Sequence, residues 1–212
     1  MSEGALLSLI QWLWPAFPTG GFAWSHGLER AVEAGDVRDA ETLGAWVGDV
    51  VARGSGALDA ALLVQAMAPD ADHAHLAELA RALAASRERL AETVEQGAAF
   101  ARTVAAVTGT AMPEAPLPVA VGRAAAPLGL APAQVAAVYL HAFASNLILA
   151  GVRFIPLGQT EGQRALAALQ PVIVATAARA VATAPDAIGS AAVGADLAAM
   201  EHEESPVRIF KS

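Results

Sequence analysis

No cysteine occurs in the 212 residues. That excludes a disulfide scaffold, a zinc ribbon and a cysteine nucleophile together. Aromatic residues are sparse, with one Tyr and six Phe, so a strand-rich core is not expected. Cations are few: 13 Lys and Arg stand against 21 Asp and Glu, a net charge of −8. An acidic chain without a basic cluster is a poor nucleic-acid binder, because phosphate affinity comes from cations that displace counterions. Nucleotide loops of the GxxxxGK[ST] or GxGxxG type are missing, and so is a GxSxG nucleophile elbow. Gly20-Gly21 lacks both a following Lys and a preceding strand.

Alanine is abundant, at 54 of 212 residues. It is the best helix former and favours closely packed helices. The 55% hydrophobic content is inflated by it and does not by itself imply a membrane protein. The expectation is an all-α, single-domain helical bundle of roughly eight to ten helices over 1–212, with 205–212 as a C-terminal tail. Two stretches carry no Asp, Glu, Lys or Arg: Gly4 to Leu28 and Ala124 to Val152. The first has no cationic start and is broken by Pro15, Pro18, Gly20 and Gly21, which argues against a signal peptide. The second holds Gln134, His141 and Asn146 and reads as the buried central helix of a bundle rather than a membrane span.

Along the chain, a short helix over Ala5 to Trp14 stops at Pro15. Ser25 is a cap for a helix reaching Ala34, ended by Gly35. Asp39 caps the next, whose Leu43, Trp46, Val47, Val50 and Val51 share one face. Leu58, Leu62 and Leu63 continue the pattern after Gly54-Ser55-Gly56. Residues 72–109 read as one helix or two joined near Ser86. There Arg87, Glu88, Arg89, Glu92, Glu95 and Arg102 mark a wet face, and Leu90, Val94, Ala98, Ala101 and Ala105 a dry one. Val119 to Ala126 is a short helix at best. Pro132 opens a helix to Ala150, followed by a linker over Gly151 to Gln159. Thr160 with Gln163 forms a capping box for a helix to Ala184, bent at Pro171. Asp186 to Glu204 is a last, weaker helix.

Chemistry-bearing residues do not assemble into an active site. His73-Ala74-His75, with Asp70 and Asp72, lacks a third ligand nearby and reads as a solvated helix start. His141 reads as a hydrogen-bonded core residue. Glu201, Glu203 and Glu204 read as a solvated face. No catalytic, cofactor-binding or metal residues are assigned. Two segments stand out. Phe17-Pro18-Thr19-Gly20-Gly21-Phe22 places exposed backbone between bulky aromatics. The ending Val207-Arg208-Ile209-Phe210-Lys211-Ser212 is cationic and apolar on an acidic protein, with the residue types of interface anchors.

These segments carry a resemblance. Trp12-Leu13-Trp14-Pro15-Ala16-Phe17-Pro18-Thr19-Gly20-Gly21-Phe22-Ala23-Trp24-Ser25-His26-Gly27-Leu28-Glu29 resembles the N-terminal signature of the UreF family. Asn146-Leu147 through Arg153 and on to Gln163 is similar to its second signature. His202-Glu203, then Arg208-Ile209-Phe210-Lys211-Ser212, resembles its C-terminal ending. The resemblance implies an all-α homodimer in the cytoplasm, a non-enzymatic chaperone for nickel insertion into urease. Its implied partners are UreD (UreH in some bacteria), the GTPase UreG and the apo-urease subunits, with neither nucleic acid nor membrane. The partner-binding residues expected are Phe17, Pro18, Thr19, Gly20, His202, Arg208, Ile209 and Phe210. Asn146, Arg153 and Gln159 are expected in structural roles, with Asn146 hydrogen-bonded inside. The alternative is a helical small-ligand-binding or effector domain, which predicts a pocket among apolar helices.

Overall fold

Alanine-rich amphipathic segments bury their small side chains by packing helix on helix at short range. The computed structural model describes residues 3–211 and does this with eleven α-helices; among the described residues there is no strand. The helices are α1 (Glu3–Leu13), α2 (Leu28–Glu33), α3 (Ala40–Arg53), α4 (Ser55–Ala66), α5 (His73–Ala82) and α6 (Arg87–Thr108). They continue as α7 (Leu117–Ala125), α8 (Pro132–Phe154), α9 (Gln159–Ala168), α10 (Gln170–Ala182) and α11 (Val193–His202). The all-α bundle expected from composition is the fold observed.

Local chemistry sets the boundaries. The Asp39 carboxylate accepts the Thr42 N–H at 2.8 Å, and the Thr42 hydroxyl accepts the Asp39 N–H at 3.1 Å, a reciprocal cap on α3. Ser86 accepts the Arg89 N–H at 3.0 Å and caps α6, so residues 72–109 form two helices. Pro132 stands at the first position of α8, as expected.

Three expectations are corrected. α8 does not stop at Ala150 but runs to Phe154, because one helical glycine costs only about 1 kcal/mol and the packing around Gly151 offsets it. The α9 start is not capped by Thr160; the Gly158 N–H donates to the Glu161 carboxylate at 2.9 Å, two residues earlier in register. The last segment is a 3-10 turn over Pro185–Ala187, then irregular chain, with α11 beginning only at Val193. The expected bend near Pro171 is there, as a 42° break between α9 and α10.

α8 is the hub. It packs against α1, α2, α3, α4, α9 and α10, and buries Tyr139, Leu140, Leu147 and Ile148. Its length and apolarity would suffice to cross a bilayer, but half of its most apolar window is buried against these neighbours. α4 lies beside it and crosses α7 closely. α6, α2 and α11 close the other side, and there the contacts change character.

Candidate functional site: the docked C-terminal tail

The side of α6 read as wet is in part the buried one. Glu88, Glu92 and Gln96 are buried, whereas Leu90 is exposed. Spacing of four residues puts these three side chains in one row. A helix can bury such a row only if other elements bring counter-charges and donors to it. They come from far away in sequence.

His26 supplies the first. It sits in the left-handed region with φ 53°, a costly conformation for a residue other than glycine. Its Nδ1 lies 3.0 Å from Ser55 Oγ, its Nε2 lies 3.0 Å from Glu92 Oε1, and Phe143 packs edge-on against the ring. Arg89 reaches back to Asp59 at 2.7 Å and to Glu92 at 3.0 Å. The Tyr139 hydroxyl donates to Asp59 at 2.8 Å, and Gln96 donates to Glu92 at 2.8 Å. Burial is the largest influence on both acids and raises them. For Asp59 it prevails over Arg89, and its pKa stands above the ordinary value. At Glu92 the charges of His26 and Arg89 outweigh it, and the pKa lies below the ordinary value. Burial and the Asp59 charge hold the Tyr139 hydroxyl well above its usual range.

His202 supplies the second. It is 0% exposed at the end of α11, with Nδ1 2.8 Å from Glu88 and Nε2 3.1 Å from Glu29. Two ionised carboxylates can only accept, so they fit a ring that donates from both nitrogens. α2 and α11 meet closely enough for this because of Gly27. Its φ is 74°, and a Cβ there would come within 2.6 Å of the Ala199 backbone nitrogen. Ser25, expected as a cap, lies 3.4 Å from the Glu29 N–H, and the helix opens only at Leu28.

The tail completes the seam. Glu29 accepts the backbone N–H of both Ile209 and Phe210 at 2.9 Å. Arg208 donates to Glu88 at 2.5 Å while its side chain stays 44% exposed. Phe210 is buried, with its ring 5.0 Å from that of Phe154 and the Arg153 guanidinium 5.8 Å above it. The Lys211 N–H donates to the Ala23 carbonyl at 2.7 Å, and its ammonium pairs with Glu95 at 2.8 Å. Ser212 lies outside the described residues. Four carboxylates (Glu29, Asp59, Glu88, Glu92) thus meet two guanidiniums and two imidazoles.

The expected partner-binding residues separate by environment. His202 and Phe210 are buried in their own chain, while Arg208 keeps an outer edge and Ile209 is 75% exposed. Pro18 is exposed, Thr19 and Gly20 are half-buried, and Phe17 packs on Phe100 with ring centroids 5.7 Å apart. Phe100 is twelve residues beyond Glu88 on α6, about 18 Å along its axis. The 17–20 loop and the tail therefore flank the same helix without touching at their tips. Between them lies Phe22, 64% exposed, whose carbonyl is 3.4 Å from Arg153.

Other candidates fall elsewhere. His141 is exposed, not a core residue, because it lies on the outer face of α8. Asn146 is half-buried and, among the described residues, makes no hydrogen bond; its amide nitrogen packs by Gly21. Gln159 is exposed at the start of α9. The Asp72 carboxylate caps α5 at His75, and His73 meets the Ala66 carbonyl at 2.9 Å. Among the described residues no three His, Asp or Glu side chains converge as metal ligands. Glu203 is not solvated as expected: it pairs with Arg87 at 2.6 Å and is largely covered. Glu29, Glu88, Glu92 and Asp59 were missed, because most of the partners that bury them lie 30 to 181 residues away.

Comparison with known proteins agrees with the signatures. The UreF family model matches residues 37–170. A urease accessory protein UreF of Cereibacter sphaeroides (strain KD131) is 62% identical over 210 residues, covering 99% of this chain and all of the relative. The UreF of Paracoccus denitrificans is 54% identical over 210 residues, 99% of this chain and 97% of its own. That of Jannaschia sp. is 52% identical, again over 210 residues. Full-length similarity of this degree takes in the N-terminal segment and the tail as well as the helices between, and the chain belongs to the UreF family of urease accessory proteins.

Proposed function

We propose that this protein is a cytoplasmic, non-enzymatic chaperone of urease maturation. Acting as a homodimer with UreD (UreH in some bacteria), it recruits the GTPase UreG to apo-urease for nickel insertion. The observation that carries the reading is the tail: a cationic, apolar chain end held in place by buried carboxylates of its own chain. Ordering a terminus costs entropy. Pinning it through Glu29, Glu88 and His202 makes a preformed surface, which lowers the cost of docking a partner. In this reading Ile209, the outer edge of Arg208 and Phe22 touch UreG, with Pro18, Thr19 and Gly20 at the margin. His202, Phe210 and Phe17 hold the surface in shape from beneath. GTP hydrolysis is the partner's chemistry.

Pull-downs against each partner separately test this. Ile209→Asp and Arg208→Ala are expected to weaken UreG capture about thirtyfold, the effect of removing a central anchor worth about 2 kcal/mol. Capture of UreD should be unchanged. Retained UreG binding with lost UreD binding would assign the tail to the other interface. Retention of both would remove the tail from partner docking altogether.

A further inference from the structure

A second feature lies away from the tail. A groove of about 470 Å³ opens between α1, the C-terminal end of α6, the 109–116 connector and α7. That is within the size range of small-molecule sites. Its walls are apolar, with Trp12, Val104, Met112 and Leu128 among them, and Thr108 at the edge. No acid lines it, on a chain of net charge −8. One charged group does: Arg123, in the last turn of α7.

Arg123 is half-buried and, among the described residues, has neither a hydrogen bond nor an ion pair. The other two arginines withdrawn from solvent, Arg30 and Arg89, both meet carboxylates. The helix C-terminus accounts for a cation at this position. It leaves the fork of guanidinium donors to water, a poorer match to its planar geometry than a carboxylate. A planar anion entering the groove would satisfy it.

We propose that this groove binds a small amphipathic monocarboxylate, its carboxylate on the Arg123 fork and its aliphatic or aromatic body against Trp12, Val104, Met112 and Leu128. The site is independent of the tail and of the partners assigned to it. Apolar contact supplies area, and the single cation fixes orientation and the sign of the ligand's charge.

Calorimetry on the full-length protein with octanoate, octylammonium and 1-octanol tests it. Octanoate should bind saturably at one site per chain, 1-octanol at least tenfold more weakly, and octylammonium not measurably. Arg123→Met should weaken octanoate about tenfold or more, the size of a lost charge-assisted contact. It should not lower the melting temperature, since no partner is lost. Leu128→Trp fills the groove while keeping Arg123, and should abolish octanoate binding as well. Absence of saturable octanoate binding would overturn the proposal. So would equal binding of octylammonium, or octanoate affinity unchanged in either variant.

Discussion

Where α4 crosses α7, and α8 meets α10, the helices bury mostly Ala, Val, Leu and Ile. Where α2, α6, α11 and the tail meet, the contacts are made by carboxylates, imidazoles and guanidiniums. The two regions join at α4, where Asp59 accepts from Tyr139 of α8 and from Arg89 of α6 and Ser55 lies 3.0 Å from His26. Apolar contact is non-directional and tolerates small sliding. Buried ions do not, since every lone pair and N–H needs its partner in position. The apolar side therefore supplies most of the stability, and the ionic side sets where one segment lies. That second task suits a chain end, which has too little apolar area to fix itself.

Substitutions on each side should differ in kind as well as size. His202→Ala leaves Glu29 and Glu88 facing each other without the ring between them, and breaking a buried pair in this way costs about 3–5 kcal/mol. The loss should be local. Hydrogen exchange is expected to show the Ile209 and Phe210 amides losing protection while α4 and α8 keep theirs. A uniform loss across the bundle would merge the two regions into one cooperative unit. Gly122→Ala probes the opposite side. A Cβ there meets the Leu63 carbonyl oxygen at 2.3 Å, so α4 and α7 must separate. Overpacking of this kind costs about 2–3 kcal/mol. Urea unfolding should report it, with the tail amides unaffected below the transition.

Acid should act on the seam with two opposite signs. Glu92 is held below its ordinary value of 4.5, so the native state binds fewer protons than the unfolded chain there. Its contribution is present above that value and is lost as pH falls through the depressed native pKa. Asp59 is raised above 3.8, so it contributes below that value and loses its contribution as pH rises through the raised one. Urea midpoints between about pH 3 and 6 should fall with acid in the wild type. Glu92→Gln should flatten that acid limb, and Asp59→Asn should steepen it. The same slope in all three proteins would mean that the seam does not titrate on unfolding.

Much of the apolar side was legible in the sequence. Leu43, Val47, Val50 and Val51 follow helical spacing, Asp39 and Pro132 mark helix starts, and the charge-free run after Ala124 is the hub. Little of the ionic side was legible. Periodicity assigns charged residues to solvent, and on α6 that rule failed at Glu88 and Glu92. What buries them is a set of partners at long sequence separation, and spacing carries no record of those. The signatures pointed to the right chain segments, because His26, Glu29 and His202 lie inside them. They could not say that His202 and Phe210 face inward while Ile209 faces out. Helix ends after Ala150 and at Gln159 were also misplaced, since tertiary packing there overrides a single glycine or threonine.

Arg208 gives the smallest expected change in stability and the finest test of the comparison. It belongs to the ionic seam, yet its side chain is 44% exposed, unlike that of His202. Water competes for a guanidinium at that depth, so its pair with Glu88 should contribute about 1 kcal/mol or less. Glu88 keeps the His202 contact at 2.8 Å when Arg208 is removed, and Glu29 keeps both tail amides. Arg208→Ala should therefore leave the melting temperature within a few degrees of wild type and the tail amides protected. If that variant nevertheless loses UreG, the arginine acts by contact, and the seam beneath it by position. Should exchange at Ile209 and Phe210 rise as far as in His202→Ala, Arg208 would belong with the groups that hold the tail, and Ile209 would be left as the tail's contact residue.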